Sequence, residues 1–186
     1  MRSRPLLVSV IGLTLLAGCG GKELGVEASG QAIRAATGYN VVTYSAAKRW
    51  TPKSFSGAGL AGGRISNSVI SGKVSVVNFW ASWCGPCRAE QTELERLWRA
   101  YESRGVQFLG VNIRDTMANA RAHIEEFGVT YPSIFNQDST IAYTFRVLFI
   151  PTTYVLDRRG RVAARIVGAT TERSNLTSIL DEVIAS

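Results

Sequence analysis

KVSVVNFWASWCGPCRAE, from Lys73 to Glu90, is the stretch that decides the fold. Its first part, Lys73 to Ser82, is a β-branched and aromatic run that is apolar on both faces, the pattern of a central strand covered on both sides. Helical spacing follows. Leu94, Leu97, Trp98 and Tyr101 stand at i, i+3, i+4 and i+7 and form one apolar stripe, which Gly105 ends. Cys84 and Cys87 therefore lie three apart at the junction of strand and helix. A helix N-terminus carries free N–H groups and about half a positive charge, which favour thiolate over thiol. Cys84 is the expected nucleophile. Cys87, one turn deeper, can close a disulfide with Cys84 and attack a mixed disulfide, so it is the expected resolving thiol. Pro86 suits a first helical turn, where no N–H is needed, and Gly85 leaves the approach to the Cys84 sulfur open.

Working outward, Val106 to Ile113 (VQFLGVNI) reads as a second strand and Met117 to Phe127 as a second helix. Tyr131 to Phe135 is a short extended piece, and Ser139 to Phe145 a short helix. Thr152 to Leu156 and Arg161 to Val167 flank Asp157-Arg158-Arg159-Gly160, a hairpin signal. The last helix is expected to bury Leu176, Ile179, Leu180, Val183 and Ile184. Upstream, Tyr39 to Tyr44 reads as a short edge strand. Ser54 to Leu60 and Arg64 to Val69, split by Ala61-Gly62-Gly63, read as a small hairpin. Alternating strands and helices describe an α/β domain with helices on both faces of a mixed sheet.

The N-terminus reads as an address. Arg2 and Arg4 precede an apolar run from Leu6 to Ala17, a secretory signal shorter than the roughly 20 residues a membrane-spanning helix needs. Leu16-Ala17-Gly18-Cys19 resembles the bacterial lipobox, which implies cleavage after residue 18 and lipid on the Cys19 thiol. Residues 1–18 are thus expected as a lipoprotein signal peptide and 19–38, Gly- and Ala-rich without periodicity, as a lipid-anchored flexible tether. Residues 39–186 form the folded domain. The expected location is the outer face of the bacterial cell membrane.

With 186 residues, 46% apolar and 19% charged, the chain has the composition of one globular domain, and a second catalytic domain has no room. A single His and three Cys rule out multi-histidine metal sites, four-cysteine zinc modules and any triad needing a second imidazole. The formal charge of +7 falls by two when Arg2 and Arg4 leave with the signal. The densest basic set, Arg158, Arg159, Arg161 and Arg165, reads as a solvated hairpin, and no nucleic-acid partner is expected.

A Cys-x-x-Cys pair by itself fits half a zinc or copper site, a structural clip or a redox disulfide. Two Cys and one distant His do not assemble four tetrahedral ligands without added carboxylates. A structural disulfide spanning two residues constrains little chain entropy. Redox exchange is the favoured reading, with no metal and no cofactor.

Val77 to Glu90 resembles the thioredoxin superfamily, and within it the extracytoplasmic TlpA/ResA-like thiol-disulfide oxidoreductases. The likeness runs from about Lys73 to the C-terminus. Phe149-Ile150-Pro151-Thr152-Thr153-Tyr154 is similar to the family's segment holding a cis-proline beside the active disulfide. The resemblance implies a thioredoxin-like fold: a central mixed sheet flanked by helices, with an N-terminal hairpin extension and a helix-containing insertion. It implies a Cys84–Cys87 redox disulfide and substrate contact through Trp83, Ile150 and Pro151. It further implies exported cysteine-containing proteins as clients, apocytochrome c among them, a transmembrane thiol carrier as electron donor, and a monomer. Gly85-Pro86 matches thioredoxin, so reduction is the expected direction. One departure matters: cytoplasmic thioredoxins usually carry a buried Asp six residues before the first Cys, and here Asn78 stands there. Glu90, three residues after Cys87, matches a Glu of ResA-like proteins. Its expected role is to accept the Cys87 proton; the alternative is a surface carboxylate favoured by the helix dipole.

Three other functions stay open at this stage: disulfide oxidase, thiol peroxidase and a copper-binding lipoprotein using the same Cys pair. The peroxidase pattern Pro-x-x-x-Thr-x-x-Cys is absent before Cys84. A copper site would want a His ligand, and His123 reads as a helix-surface residue without a tie to the motif.

Overall fold

The computed structural model describes residues 32–34, 40–170 and 175–186; the signal peptide, Cys19 and most of the expected tether lie outside them. Strand β5 (Val74–Trp80) is buried at all seven positions and β6 (Val106–Ile113) at all eight. They pair in parallel with Val77 opposite Leu109. Such continuous burial is what an apolar run on both faces demands. β7 (Ser133–Asn136) continues the parallel set beside β6. On the other side β8 (Thr152–Leu156) and β9 (Val162–Val167) run antiparallel, with Val77 opposite Tyr154.

Among the described residues the remaining strands are β1 (Ala32–Arg34), β2 (Asn40–Thr43), β3 (Ser56–Gly59) and β4 (Arg64–Ser66). Together the nine form one sheet in the order β1-β2-β9-β8-β5-β6-β7-β3-β4. β2 is not the edge strand expected at 39–44, because β1 pairs along its outer side. β1 also places three residues of the expected tether in the sheet. The β3–β4 hairpin joins the opposite end of the sheet through β7, with Ala58 opposite Phe135.

Helices α1 (Gly85–Tyr101) and α4 (Leu176–Ala185) cover one face. The α1 stripe of Leu94, Leu97, Trp98 and Tyr101 packs with Leu176, Ile179, Leu180 and Val183 against Val74, Val76, Phe108 and Ile166; Ile184 is only partly buried. The alternate strand residues Val77, Phe79, Leu109, Val111 and Tyr154 meet α3 (Thr140–Thr144) and Phe145 on the other face. α2 (Met117–Glu126) contributes Ala120 to a third, smaller cluster with Leu60, Trp80, Ala81, Cys84 and Cys87. Gly105 closes the turn after α1 at φ 77°, a left-handed conformation that favours glycine. No helix of the described residues is long and apolar enough to cross a membrane.

Candidate active site

β5 ends at Trp80, and the chain turns through Ala81, Ser82 and Trp83 before Cys84 begins α1 as its N-cap. Cys84 has extended backbone at φ −83° and ψ 105°, and its Sγ accepts the Cys87 N–H at 3.2 Å. That contact is one of the free donors of the first turn, directed at the sulfur expected to carry charge. A disulfide joins Cys84 and Cys87, whose Cα atoms are 5.2 Å apart. Cys84 is 5% exposed and Cys87 is fully buried, so one sulfur lies nearer the surface than the other. Beyond its chain neighbours and its own helix backbone, no described atom stands within 4 Å of where a side chain at Gly85 would begin, so the space beside it is open.

The turn before Cys84 is held by a residue that the motif does not contain. Asp115, from the loop between β6 and α2, accepts from the Ser82 N–H at 2.7 Å and the Ser82 hydroxyl at 2.9 Å. It also accepts from Asn112 Nδ2 at 2.9 Å and the Thr116 N–H at 2.8 Å. Burial raises the Asp115 carboxyl, but these hydrogen bonds outweigh it and hold the group below the usual carboxylate range. Trp83 is 59% exposed, its indole N–H donating to the Arg114 carbonyl at 2.9 Å.

The Ile150–Pro151 peptide is cis, as the resemblance implies. Pro151 is buried, its carbonyl accepting from the Gly168 N–H at 2.9 Å. Ile150 packs on the cluster that contains both cysteines, so the cis-proline segment adjoins the disulfide.

Glu90 is 1% exposed, in place of the surface carboxylate that was the alternative. Asn78 Nδ2 donates to Glu90 Oε1 at 2.8 Å and to Thr153 Oγ1 at 3.0 Å. The Thr170 N–H donates to the other carboxylate oxygen, and the Thr153 and Thr170 hydroxyls are 3.2 Å apart. Burial pushes the Glu90 carboxyl up to about 7 against the opposing pull of hydrogen bonds from Thr170 and Asn78. Asn78 Oδ1 is buried without a partner. A protonated Glu90 would offer that acceptor an O–H, so the Asn78 amide can serve both protonation states by turning over.

His123 corrects the sequence reading. It is 1% exposed, and its ring stacks on Trp80 with centroids 4.4 Å apart. Its Nε2 is 3.3 Å from Gln91 Oε1, and Gln91 Nε2 donates to the Tyr131 hydroxyl at 2.5 Å. Burial, helped by nearby Arg88, lowers His123 to about 4, which keeps the imidazole neutral. The signal was the spacing of Ala120, His123 and Ile124, one apolar-lined face of α2. Asp115, Thr153 and Thr170 carry no comparable local signal. Among the described residues no three His, Cys, Asp or Glu side chains gather as metal ligands would. The hairpin arginines are also less free than expected: Arg161 pairs with Asp157 at 2.8 Å, and Arg158 donates to the Ile184 carbonyl.

The pattern of the AhpC/TSA family matches residues 38–165, most of the chain and all of this site except Gly168 and Thr170. The chain belongs to the AhpC/TSA family. The AhpC/TSA match agrees with the thioredoxin-superfamily resemblance. The thiol-disulfide oxidoreductase ResA of Geobacillus thermodenitrificans is 33% identical over 101 residues, 54% of this chain and 58% of that protein. The thiol:disulfide interchange protein HelX of Rhodobacter capsulatus is 36% identical over 115 residues, 61% of this chain and 62% of that one. The chain thus matches less than two thirds of the length of these curated relatives. Among solved structures, a DsbF homologue from Corynebacterium diphtheriae superposes with a TM-score of 0.72 at 28% identity, covering 80% of this chain and 96% of that one. A secreted thiol-disulfide isomerase from Corynebacterium glutamicum gives 0.73 at 26%, covering 82% and 96%. The AhpC/TSA domain here therefore has the thioredoxin-like architecture expected from the sequence.

Proposed function

We propose that this protein is a thiol-disulfide oxidoreductase that exchanges Cys84–Cys87 with cysteines of exported proteins, acting as a reductant. The observation that carries the reading is the placement of the pair: one sulfur at a helix N-terminus near the surface, the other buried one turn behind, both beside a cis-proline segment. In the reducing direction the Cys84 thiolate attacks a client disulfide, forming a mixed disulfide and releasing one client thiolate, which takes up a proton. Cys87 then gives its proton to the Glu90 carboxylate and attacks Cys84 Sγ. The second client thiolate leaves and takes up a proton from solvent, and Glu90 releases the Cys87 proton to solvent. The client gains two electrons and two protons, and the enzyme is left with the Cys84–Cys87 disulfide. Glu90 suits the proton because its carboxyl, at about 7, is matched to neutral pH.

Trp83, Ile150 and Pro151 supply the client-facing surface around the pair. Lipid on Cys19, after removal of residues 1–18, anchors the domain to the outer face of the membrane, where a transmembrane thiol carrier restores the dithiol. The names of ResA and HelX support this exchange chemistry, and precursors of cytochrome c are the clients we favour. Two measurements test the proposal. Equilibration with glutathione should place the couple near the thioredoxin value of about −270 mV; a value near −120 mV, that of a strong oxidant, would make the protein an oxidase. In Cys87→Ser the first attack stalls, so clients should be recovered as mixed disulfides on Cys84. Recovery of none under conditions where wild-type protein is redox-active would sink the exchange reading.

A further inference from the structure

Behind the cis-proline segment lies a second concavity. Residues 146–149 with β2, β8 and β9 enclose a cleft of about 280 Å³. Its apolar walls include Val41, Leu148 and Phe149, and its charged groups are Arg146 and Arg165; among the described residues no Asp or Glu lines it. Leu148 and Phe149 are 77% and 68% exposed, an unusual display for such side chains. Arg165 Nε is buried with no hydrogen-bond partner. Among the described residues neither guanidinium has a carboxylate partner. Arg146 is held by its stacking over the Trp50 ring at 4.8 Å.

Two guanidinium groups lining one cleft, with no carboxylate partner among the described residues, make that cleft attractive to an anion. Low-polarity walls strengthen the resulting charge-assisted bond. A small inorganic ion would use the arginines and leave Leu148 and Phe149 idle, whereas a polypeptide segment uses both. The cleft also adjoins the disulfide along the chain: Phe149 lines it, and Ile150, the next residue, packs on the cluster of Cys84 and Cys87.

We propose that this cleft receives an acidic side chain, Asp or Glu, of a client segment whose cysteine is presented to Cys84, and so selects clients with a carboxylate near the reacting cysteine. The proposal rests on the thiol-exchange reading above. The test is a nuclear magnetic resonance titration of the protein with two synthetic peptides. Both carry Ser in place of Cys; one has two Glu residues and the other Gln at those positions. The Glu peptide should bind about tenfold more tightly, shift the signals of residues 146–149 and 165, and lose its advantage in 0.5 M salt. Arg165→Gln and Arg146→Gln should each abolish the preference and Arg165→Lys should retain part of it; Arg165 alone decides the outcome if Arg146→Gln fails to fold. Equal affinities, or a preference that survives Arg165→Gln, would overturn the proposal. Equal shifts from free acetate at the same concentration would also overturn it, leaving a bare anion site. Exchange with a small aromatic disulfide is measured alongside. Normal exchange without a peptide preference fails only the cleft, while a preference without exchange fails the redox reading and keeps the cleft.

Discussion

The amide of Asn78 in β5 donates to the carboxylate of Glu90 in α1 at 2.8 Å, tying the strand before the cysteine motif to the helix after it. If Glu90 is the proton acceptor for Cys87, Glu90→Gln leaves the first attack by Cys84 nearly intact and slows resolution. Loss of a positioned base costs about 10²- to 10⁴-fold in the step it serves. Stopped-flow reduction of a model disulfide should show the mixed disulfide accumulating in the variant. Unchanged kinetics from pH 5 to 9 would assign the proton to water.

Glu90 and His123 set opposing pH dependences of stability. The Glu90 carboxyl is raised from 4.5 to about 7, so the folded state holds its proton longer and stability is lost as pH rises across that interval. His123 is lowered from 6.5 to about 4, so stability is lost as pH falls from 6.5 towards 4. The Glu90 shift corresponds to about 3 kcal/mol in all. Where the intervals overlap, from 4.5 to 6.5, the slopes nearly cancel, and Glu90→Gln should uncover stability that climbs with pH. Urea unfolding at half-unit pH steps checks this; a variant with the wild-type profile would refute it.

Asp115→Ala leaves the Ser82 N–H, the Asn112 amide and the Thr116 N–H without their acceptor. Hydrogen bonds to a charged group contribute about 1.5–3 kcal/mol each, not additively, so a loss of about 3–4 kcal/mol is expected. The turn carrying Trp83 and Cys84 should loosen with it. Slower attack by Cys84 on a small disulfide, at a temperature where the variant is fully folded, separates the effect on the turn from simple unfolding.

Gly110 lies opposite Asn78 in β6, and a side chain there would press into the Ser133 hydroxyl and the Trp80 indole. Gly110→Ala should destabilise the fold by about 1–3 kcal/mol through overpacking. The Trp80 indole should move against the His123 ring on which it stacks. Thermal unfolding measures the first, and the near-ultraviolet circular dichroism of tryptophan the second.

Local pattern carried much of the molecule. The double-faced apolar run made β5 central, the spacing of Leu94, Leu97, Trp98 and Tyr101 defined the buried stripe of α1, and Val106 to Ile113 marked β6 with its observed bounds. The cysteine pair was legible for the same reason: its position at a strand-to-helix junction follows from the residues on either side of it. Pro151 needed more than pattern, since the family resemblance pointed to the cis bond that the structure contains.

What tertiary structure alone decided is the surroundings of the polar groups. Glu90 owes its raised carboxyl to burial among Asn78, Thr153 and Thr170, the last 80 positions away. His123 left the expected helix surface because Trp80 and Gln91 close over its face of α2. β2 ceased to be an edge when β1 paired with it, and Arg165, expected on a solvated hairpin, came to line a cleft with Arg146. Periodicity reports which side of an element is apolar, a property of a few consecutive residues. Burial of a single charge depends on which distant segments pack against it, and only the folded chain brings those segments together.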